Sequence, residues 1–406
     1  MFRYHTHNLP NGLKVAHWRH KSKVAYLAVI INSGTRDETS DKQGIAHFTE
    51  HMLFKGTGSR NTRQIIRCLE EVGGEVDAFT TKEDTVLFAA FPLKYFDRAA
   101  ALFGEIVFNS VFPLKEIEKE RDVIIDEINS YKDNPVELLF EEFDELVFKG
   151  HTLGKNILGT KKSLNSIKRN DILAFVKSNY VPSNIVVCSM GDIAFDSICT
   201  IVEKHFVAGL IEDKQKERVV FGGYNPVNIE KRKRAHQLHC VLGAVSYGYS
   251  DKRRIAFSLL INLLGGPAML SRLNMLLRER YGLVYNIEAN NTLYSDTGIF
   301  TIYFGADYKH YEKSLRLIQK ELALFSSERI STVQLNQAKR QYIGQTLISL
   351  ENPESLLMAM GKTLINNQGR FNEKSIIDQI QEISSEDILN SAHVLRPENL
   401  SMLVYS

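Results

Sequence analysis

The sequence predicts an α+β protein made of two homologous αβ domains, each a mostly antiparallel sheet covered by helices. Three observations predict it. Short apolar runs of strand length are interleaved with longer segments of helical period. The pairs Asn134-Pro135 and Asn352-Pro353, at an offset of 218 residues, interrupt two long helical segments in the same way. Each half then closes on a Pro-x-Asn turn and a strand, Pro182-Ser183-Asn184 in the first and Pro397-Glu398-Asn399 in the second. Self-similarity of this kind marks one supersecondary unit used twice.

In order along the chain, Phe2 to Thr6 reads as a strand, and Asn11-Gly12 turns it into a second strand from Leu13. Val24 to Ile31 is a continuous apolar run closed by Asn32-Ser33-Gly34, a buried strand and a turn. The polar stretch 35–43 leads into a helix over 44–54, which Lys55-Gly56-Thr57-Gly58 ends. A helix over 61–72 stops at Gly73-Gly74, followed by strands over 75–81 and 85–91 and a helix from Pro92 to about Asn109. Pro113 opens a long helix to Lys132, and a further acidic helix runs to Phe148. Residues 165–178 read as one helix, 184–190 as a strand, and the segment up to Phe206 as a helix. The polar stretch 210–234, with Gly222-Gly223 and the basic run 231–234, reads as a linker. In the second half, Phe300 to Phe304 precedes a helix from Tyr308, as Val86 to Phe91 precedes the helix from Pro92.

The chemistry is concentrated in the helix over 44–54. His47, Glu50 and His51 stand there in the order His-x-x-Glu-His. Four residues apart on a helix, the two imidazoles leave one face together and can grip one metal ion, zinc being usual for two histidines and a carboxylate. Glu50 lies close to that face, where a carboxylate can take a proton from water activated by the ion. The pattern is the inverted relative of His-Glu-x-x-His. In the helix over 113–132, Leu114, Ile117, Ile124, Ile125, Ile128 and Tyr131 cluster on one side, with Glu116, Glu120 and Glu127 along its flank. Asp126 points nearly opposite the apolar face. Helix phase therefore favours Glu120 or Glu127 over Asp126 as a third ligand, and leaves the choice between those two open. The second half has no His-x-x-Glu-His; at the same offset Gln345 stands opposite Glu127 and Ala338 opposite Glu120. A fold built a second time without these residues does not need them, so their presence speaks for function.

Composition narrows the class. Of 406 residues, 44% are hydrophobic, and 50 basic against 48 acidic side chains give a net charge of +2, which offers no footprint for nucleic acid. Cys68, Cys188, Cys199 and Cys240 form no Cys-x-x-Cys pair and read as isolated thiols of a reducing compartment. No run is long enough to span a membrane, and strand pattern starting near residue 2 leaves no room for a signal peptide. The expectation is a cytoplasmic protein.

With these residues in view, the chain resembles the pitrilysin-like (M16-type, inverzincin) zinc peptidases, the family of mitochondrial processing peptidase and insulin-degrading enzyme. The resemblance covers essentially the whole chain and is to the short, single-unit members. In that family a glutamate 76 residues after the second histidine completes the zinc site, which here is Glu127. Glu120-Arg121-Asp122-Val123-Ile124-Ile125-Asp126-Glu127-Ile128 is similar to the family's Glu-Arg-x-Val-Ile-x-x-Glu-Ile. The resemblance implies zinc, one ion per chain, on His47, His51 and Glu127, with Glu50 as general base and Glu120 as the acidic residue supporting the site. Leu264 to Leu273 resembles the family's glycine-rich segment, with Pro267 a departure where more glycine is usual. Leu277-Arg278-Glu279-Arg280-Tyr281-Gly282-Leu283-Val284-Tyr285 resembles Leu-Arg-x-x-x-Gly-Leu-x-Tyr. It implies that Arg278 and Tyr285 contact substrate and stabilise the reacting carbonyl, supplied by a partner protomer. Asp77, Ala78, Phe79 and Thr80 match the strand that pairs with substrate backbone, with Asp77 where relatives usually have Asn.

The expectation is thus a zinc metalloendopeptidase acting on peptides or unfolded segments in a closed chamber, as a homodimer. The rival is a subunit of the same fold that is non-catalytic or depends on an inactive paralogue. The expected domains are 1–209 with the zinc, a linker over 210–234, and a metal-free copy over 235–406 supplying Arg278 and Tyr285.

Overall fold

The computed structural model describes residues 4–207, 217–233, 237–366, 369 and 371–406. Phe2 and Arg3, together with 210–216 and Arg234 of the expected linker, lie outside them.

The first copy of the unit begins with strands β1 (Tyr4–Asn8), β2 (Lys14–Arg19) and β3 (Val24–Ile31). Helices α1 (Ile45–Leu53) and α2 (Thr62–Glu70), strands β4 (Glu75–Thr80) and β5 (Thr85–Pro92), and helices α3 (Phe96–Asn109), α4 (Leu114–Asp133) and α5 (Pro135–Val147) follow. Then come α6 (Lys161–Ser166), α7 (Arg169–Asn179), β6 (Ile185–Gly191) and α8 (Phe195–His205). The second copy has β7 (Asn228–Lys231), β8 (Leu238–Ser246), α9 (Arg254–Gly265), a π-helical segment Asn274–Arg280, β9 (Val284–Leu293) and β10 (Gly298–Ala306). It ends with α10 (Tyr311–Ser327), α11 (Thr332–Leu350), α12 (Pro353–Ile365), α13 (Glu373–Glu382), α14 (Ser385–Ser391) and β11 (Ser401–Tyr405).

The repeat holds in the sheets. The first has the order β1-β2-β6-β3-β5-β4, the second β7-β11-β8-β10-β9. Apart from β1 the two orders superimpose strand for strand. Each sheet is mixed, with one parallel pair, β2–β6 and β7–β11, and antiparallel neighbours elsewhere. β7 lies inside the stretch expected to be a linker, and so corrects that expectation. Its four residues, Asn228-Ile229-Glu230-Lys231, carry a single apolar side chain, so nothing in their pattern announces a strand; pairing with β11 makes them one.

The chain divides into two compact units, and they are not contiguous. One contains Met1–Asn129, Lys155–Arg218 and Ser349–Phe371; the other contains Ser130–Gly154, Val219–Ile348 and Asn372–Ser406. The halves therefore exchange one helix each. α5 belongs with the second sheet, where Leu139, Phe143 and Val147 join Val241, Tyr303, Leu403 and Tyr405. α12 belongs with the first and packs on β3 and β6. Each of these helices starts at the Asn-Pro pair seen in the sequence: the side chains of Asn134 and Asn352 accept hydrogen bonds from the first amides and the proline takes the first helical position. Gly361 brings α12 close to β3: a Cβ there would come within 2.0 Å of Ile30 Cδ1, and that side chain would have to shift to admit it. Within each unit the exchanged helix covers one face of the sheet, α12 against β3 and α5 against β8, which explains why β3 and β8 are buried without alternation.

Two local expectations differ from the structure. Residues 165–178 are not one helix, because Ile167 and Lys168 are extended and Arg121 takes the carbonyls of Leu164 and Ile167. On α4, Leu114 and Tyr131 are exposed, and the buried stripe is Ile117, Glu120, Ile124 and Ile128. All four cysteines are free thiols, and among the described residues no helix is long and apolar enough to cross a membrane.

One buried group makes stability depend on pH. His17 in β2 hydrogen-bonds Ser189 Oγ at 2.8 Å and the Ile193 carbonyl at 3.1 Å, and burial lowers its pKa to about 4. The folded value lies below the unfolded one, so the neutral form is the one folding favours. Its contribution is full above about pH 6.5 and is lost as pH falls towards 4, on the order of 3 kcal/mol. Urea midpoints at pH 7.5 and 4.5 are expected to differ less in His17→Gln than in the wild type.

Candidate metal centre

The residues of the motif face the right way because of what α1 buries. Ile45, Ala46, Phe48, Met52 and Leu53 enter the core, which turns His47, Glu50 and His51 to the other side, where all three are half-buried. The helix start is fixed by two devices. Gly44 caps it with φ of 88°, a left-handed conformation that glycine adopts at no steric cost, and a Cβ there would lie 2.7 Å from the Leu158 carbonyl. The buried Glu38 carboxylate accepts the amides of Gly44 at 2.8 Å and Ala46 at 2.9 Å, so two of the orphan donors of the helix are satisfied by one side chain.

α4 brings up Glu120 and Glu127, two turns apart on one side. His47 Nε2 lies 3.8 Å from Glu127 Oε2, and His51 Nε2 lies 3.6 Å from Glu127 Oε1. The ligand atoms of His47, His51 and Glu127 all fall within 4.8 Å of one another. These separations are too long for hydrogen bonds. They are close to the ~3.4 Å expected between two atoms each ~2.0–2.1 Å from a tetrahedral ion. Glu127 Oε2 is buried with no hydrogen-bond partner, and burial beside His51 lowers the His47 pKa to about 3, holding that imidazole neutral as a ligand must be. Two neutral nitrogens and one carboxylate suit zinc, so the residues fit the ion.

Around the triad, His51 Nδ1 faces Glu120 Oε2 at 3.2 Å, and Glu120 Oε1 is 2.7 Å from Lys55 Nζ. This chain fixes the ring of His51 from behind. Glu120→Gln, which keeps the shape and removes the charge, is expected to weaken zinc binding about 10- to 100-fold, read by competition with a chromophoric chelator. Glu50 Oε2 accepts the Thr80 hydroxyl at 2.9 Å, and burial, with further contributions from Glu127 and Asp77, raises its pKa above the ordinary glutamate range. Thr80 ends β4, an edge strand paired only with β5. Along it Asp77 is exposed, its Oδ1 accepting the Ala78 amide at 2.8 Å, while Ala78, Phe79 and Thr80 are half-buried. A cavity of about 340 Å³ opens beside this strand, with Phe54, Ile65, Val76 and Leu102 among its apolar lining and Glu50, His51 and Glu120 among its polar lining.

Arg278 and Tyr285 lie in the second unit. Arg278 is exposed in the π-helical segment, a rare geometry that is frequent at functional sites. Tyr285 is exposed on β9, its hydroxyl donating to Asp307 Oδ1 at 3.0 Å, and that carboxylate raises its pKa. Glu38 and Lys55 were not singled out by the sequence. Lys55 stands two residues past the end of α1, where helical register no longer applies, and for Glu38 no sequence signal exists.

The insulinase (peptidase family M16) model matches residues 14–161, and the peptidase M16 inactive-domain model matches residues 166–342. The chain belongs to peptidase family M16. An uncharacterized zinc protease of Rickettsia felis is 31% identical over 95% of this chain and 93% of its own length, and one of Bacillus subtilis is 30% identical over 94% and 92%. Among solved structures, a protease from Helicobacter pylori shares the fold at a TM-score of 0.92, with 22% identity and full coverage of both chains. The M16 chain described here is accordingly a zinc protease by family, and residues 166–342, which lack the motif, match the model of the family's inactive domain.

Proposed function

We propose that this chain is a zinc metalloendopeptidase that hydrolyses peptides or unfolded segments laid as an added strand along β4. The observation that carries the reading is the junction at Thr80: the open edge of β4 runs into the residue that hydrogen-bonds Glu50, beside the His47–His51–Glu127 group. An edge strand offers backbone groups to an extended peptide, whose side chains then alternate between cavity and solvent. The cavity beside Glu50 and His51 takes one such side chain.

One zinc per chain fits the one three-ligand group found among the described residues. Bound there, zinc acidifies water and polarises a carbonyl oxygen. Glu50 does the proton work: its raised pKa suits a base that must take a proton from the attacking water at one carboxylate oxygen and pass it to the leaving amine. Thr80 holds the other end of the exchange in place by donating to Glu50 Oε2. Glu120 and Lys55 keep His51 oriented. Arg278 and Tyr285, exposed on the second unit, serve the site of a partner copy in a homodimer, where their donors offset charge developing on the carbonyl oxygen.

The test is cleavage of unstructured peptides before and after chelation, with zinc returned. Loss and recovery of new termini support the reading. Cleavage that survives complete removal of metal contradicts it. The mass in solution separates homodimer from monomer.

A further inference from the structure

We propose that Arg218 is a positioning residue for the hydrolytic site, an inference that rests on the peptidase reading above. Arg218 ends the second of the three segments that make up the first unit. Its guanidinium is mostly buried and makes a fork on Asp37, with Nε to Oδ1 at 3.1 Å and a terminal nitrogen to Oδ2 at 2.9 Å. The same terminal nitrogen donates to the carbonyls of Glu83 at 2.8 Å and Asn32 at 3.3 Å, and the other terminal nitrogen lies 3.4 Å from Glu83 Oε1. Arg36 reaches the same Glu83 carboxylate at 2.6 Å. A planar, always-charged fork with this many fixed acceptors locks geometry in a way that a lysine ammonium cannot.

What the fork locks is two loops. Residues 34–37 are zipped to the β4–β5 turn by the Thr35 amide on the Thr81 carbonyl (3.2 Å) and the Arg36 amide on the Lys82 carbonyl (2.7 Å). Gly34 lies so close to that turn that a Cβ would sit 2.3 Å from the Thr81 carbonyl oxygen. Each loop leads within one residue to a group that fixes the site. Asp37 is followed by Glu38, which holds the first amides of α1 and so sets where His47, Glu50 and His51 stand. Thr81 is preceded by Thr80, which holds the Glu50 carboxylate. Glu50 is thus fixed from both ends, by its helix and by its hydrogen-bond donor, and Arg218 joins the two supports. It touches neither metal ligand nor base. Its effect on hydrolysis is through the placement of Glu50, where a shift of ~1 Å costs about 100-fold.

The experiment compares wild type, Arg218→Met and Arg218→Lys, all zinc-loaded, on one unstructured fluorogenic peptide. Zinc affinity by chelator competition and thermal melting are measured alongside. Arg218→Met is expected to lower kcat about 10- to 100-fold while KM changes less than about threefold and zinc remains bound, with Arg218→Lys recovering part of kcat. If Arg218→Met does not fold, Asp37→Asn, of the same shape and without the charge, is expected to show the same kcat-selective loss. Wild-type kcat in a folded variant overturns the proposal, as does a loss of rate that only follows the unfolded fraction. A wild type that cleaves nothing instead overturns the peptidase reading itself.

Discussion

Glu50→Gln is expected to leave zinc bound and the fold unchanged while lowering peptide hydrolysis about 10²- to 10⁴-fold, the usual contribution of a general acid–base group. Glutamine has the shape of glutamate, and its carbonyl oxygen still accepts the Thr80 hydroxyl, so the side chain keeps its place. What it loses is the ability to take a proton. In the wild type, burial is the largest cause raising the Glu50 pKa; the charges of Glu127 and Asp77 add to it, while His51 and the Thr80 hydrogen bond oppose it. A base is inactive once protonated, so kcat/KM should fall as pH drops through the pKa of Glu50, which burial raises and the charge of a bound zinc ion lowers. Kinetics of the wild type across pH and the residual rate of Glu50→Gln at neutral pH check both statements.

Glu127→Ala is expected to abolish stoichiometric zinc and, with it, activity. His47 and His51 alone are two neutral nitrogens, and their half-buried face would have to share a divalent charge without any carboxylate. The fold should survive, because Ile117, Ile124 and Ile128 carry the packing of α4 and Glu127 only borders it. Zinc at 100 times its Kd stabilises a protein by about 2.7 kcal/mol. Zinc should therefore raise the melting temperature of the wild type and not that of Glu127→Ala. Metal analysis after dialysis and melting with and without zinc are the measurements.

How much of this was legible in the sequence depends on whether the signal was local. His47, Glu50 and His51 share one helix turn, and Glu120 and Glu127 lie two turns apart along one side of another helix, so helical period alone placed each set on a face. The family resemblance then chose Glu127, the residue whose carboxylate lies between the two imidazoles. The strand β4 was visible from Gly73-Gly74 and its half-polar pattern. Glu38 was invisible, since an acid in a polar stretch becomes a helix cap only when the chain folds its carboxylate onto Gly44 and Ala46. The exchange of α5 and α12 was invisible for a related reason: an apolar helix face states that it will be covered, and not by which sheet. β7 was missed because an edge strand of four residues derives its order from pairing with β11 at the other end of the chain. Leu114 and Tyr131 fit the apolar stripe of α4 by phase, yet both stand near the ends of the helix, where the core no longer reaches them.

The central claim is that His47, His51 and Glu127 hold one zinc and that Glu50 works beside it on peptide bonds. The measurement that tests it most directly is hydrolysis of a mixed pool of unstructured peptides, with zinc-loaded wild type and Glu50→Gln side by side and products read by mass spectrometry. The account predicts new termini with the wild type, almost none with Glu50→Gln, and one zinc per chain in both. Equal cleavage by the two proteins, or no cleavage by a wild type that holds its zinc, would contradict it.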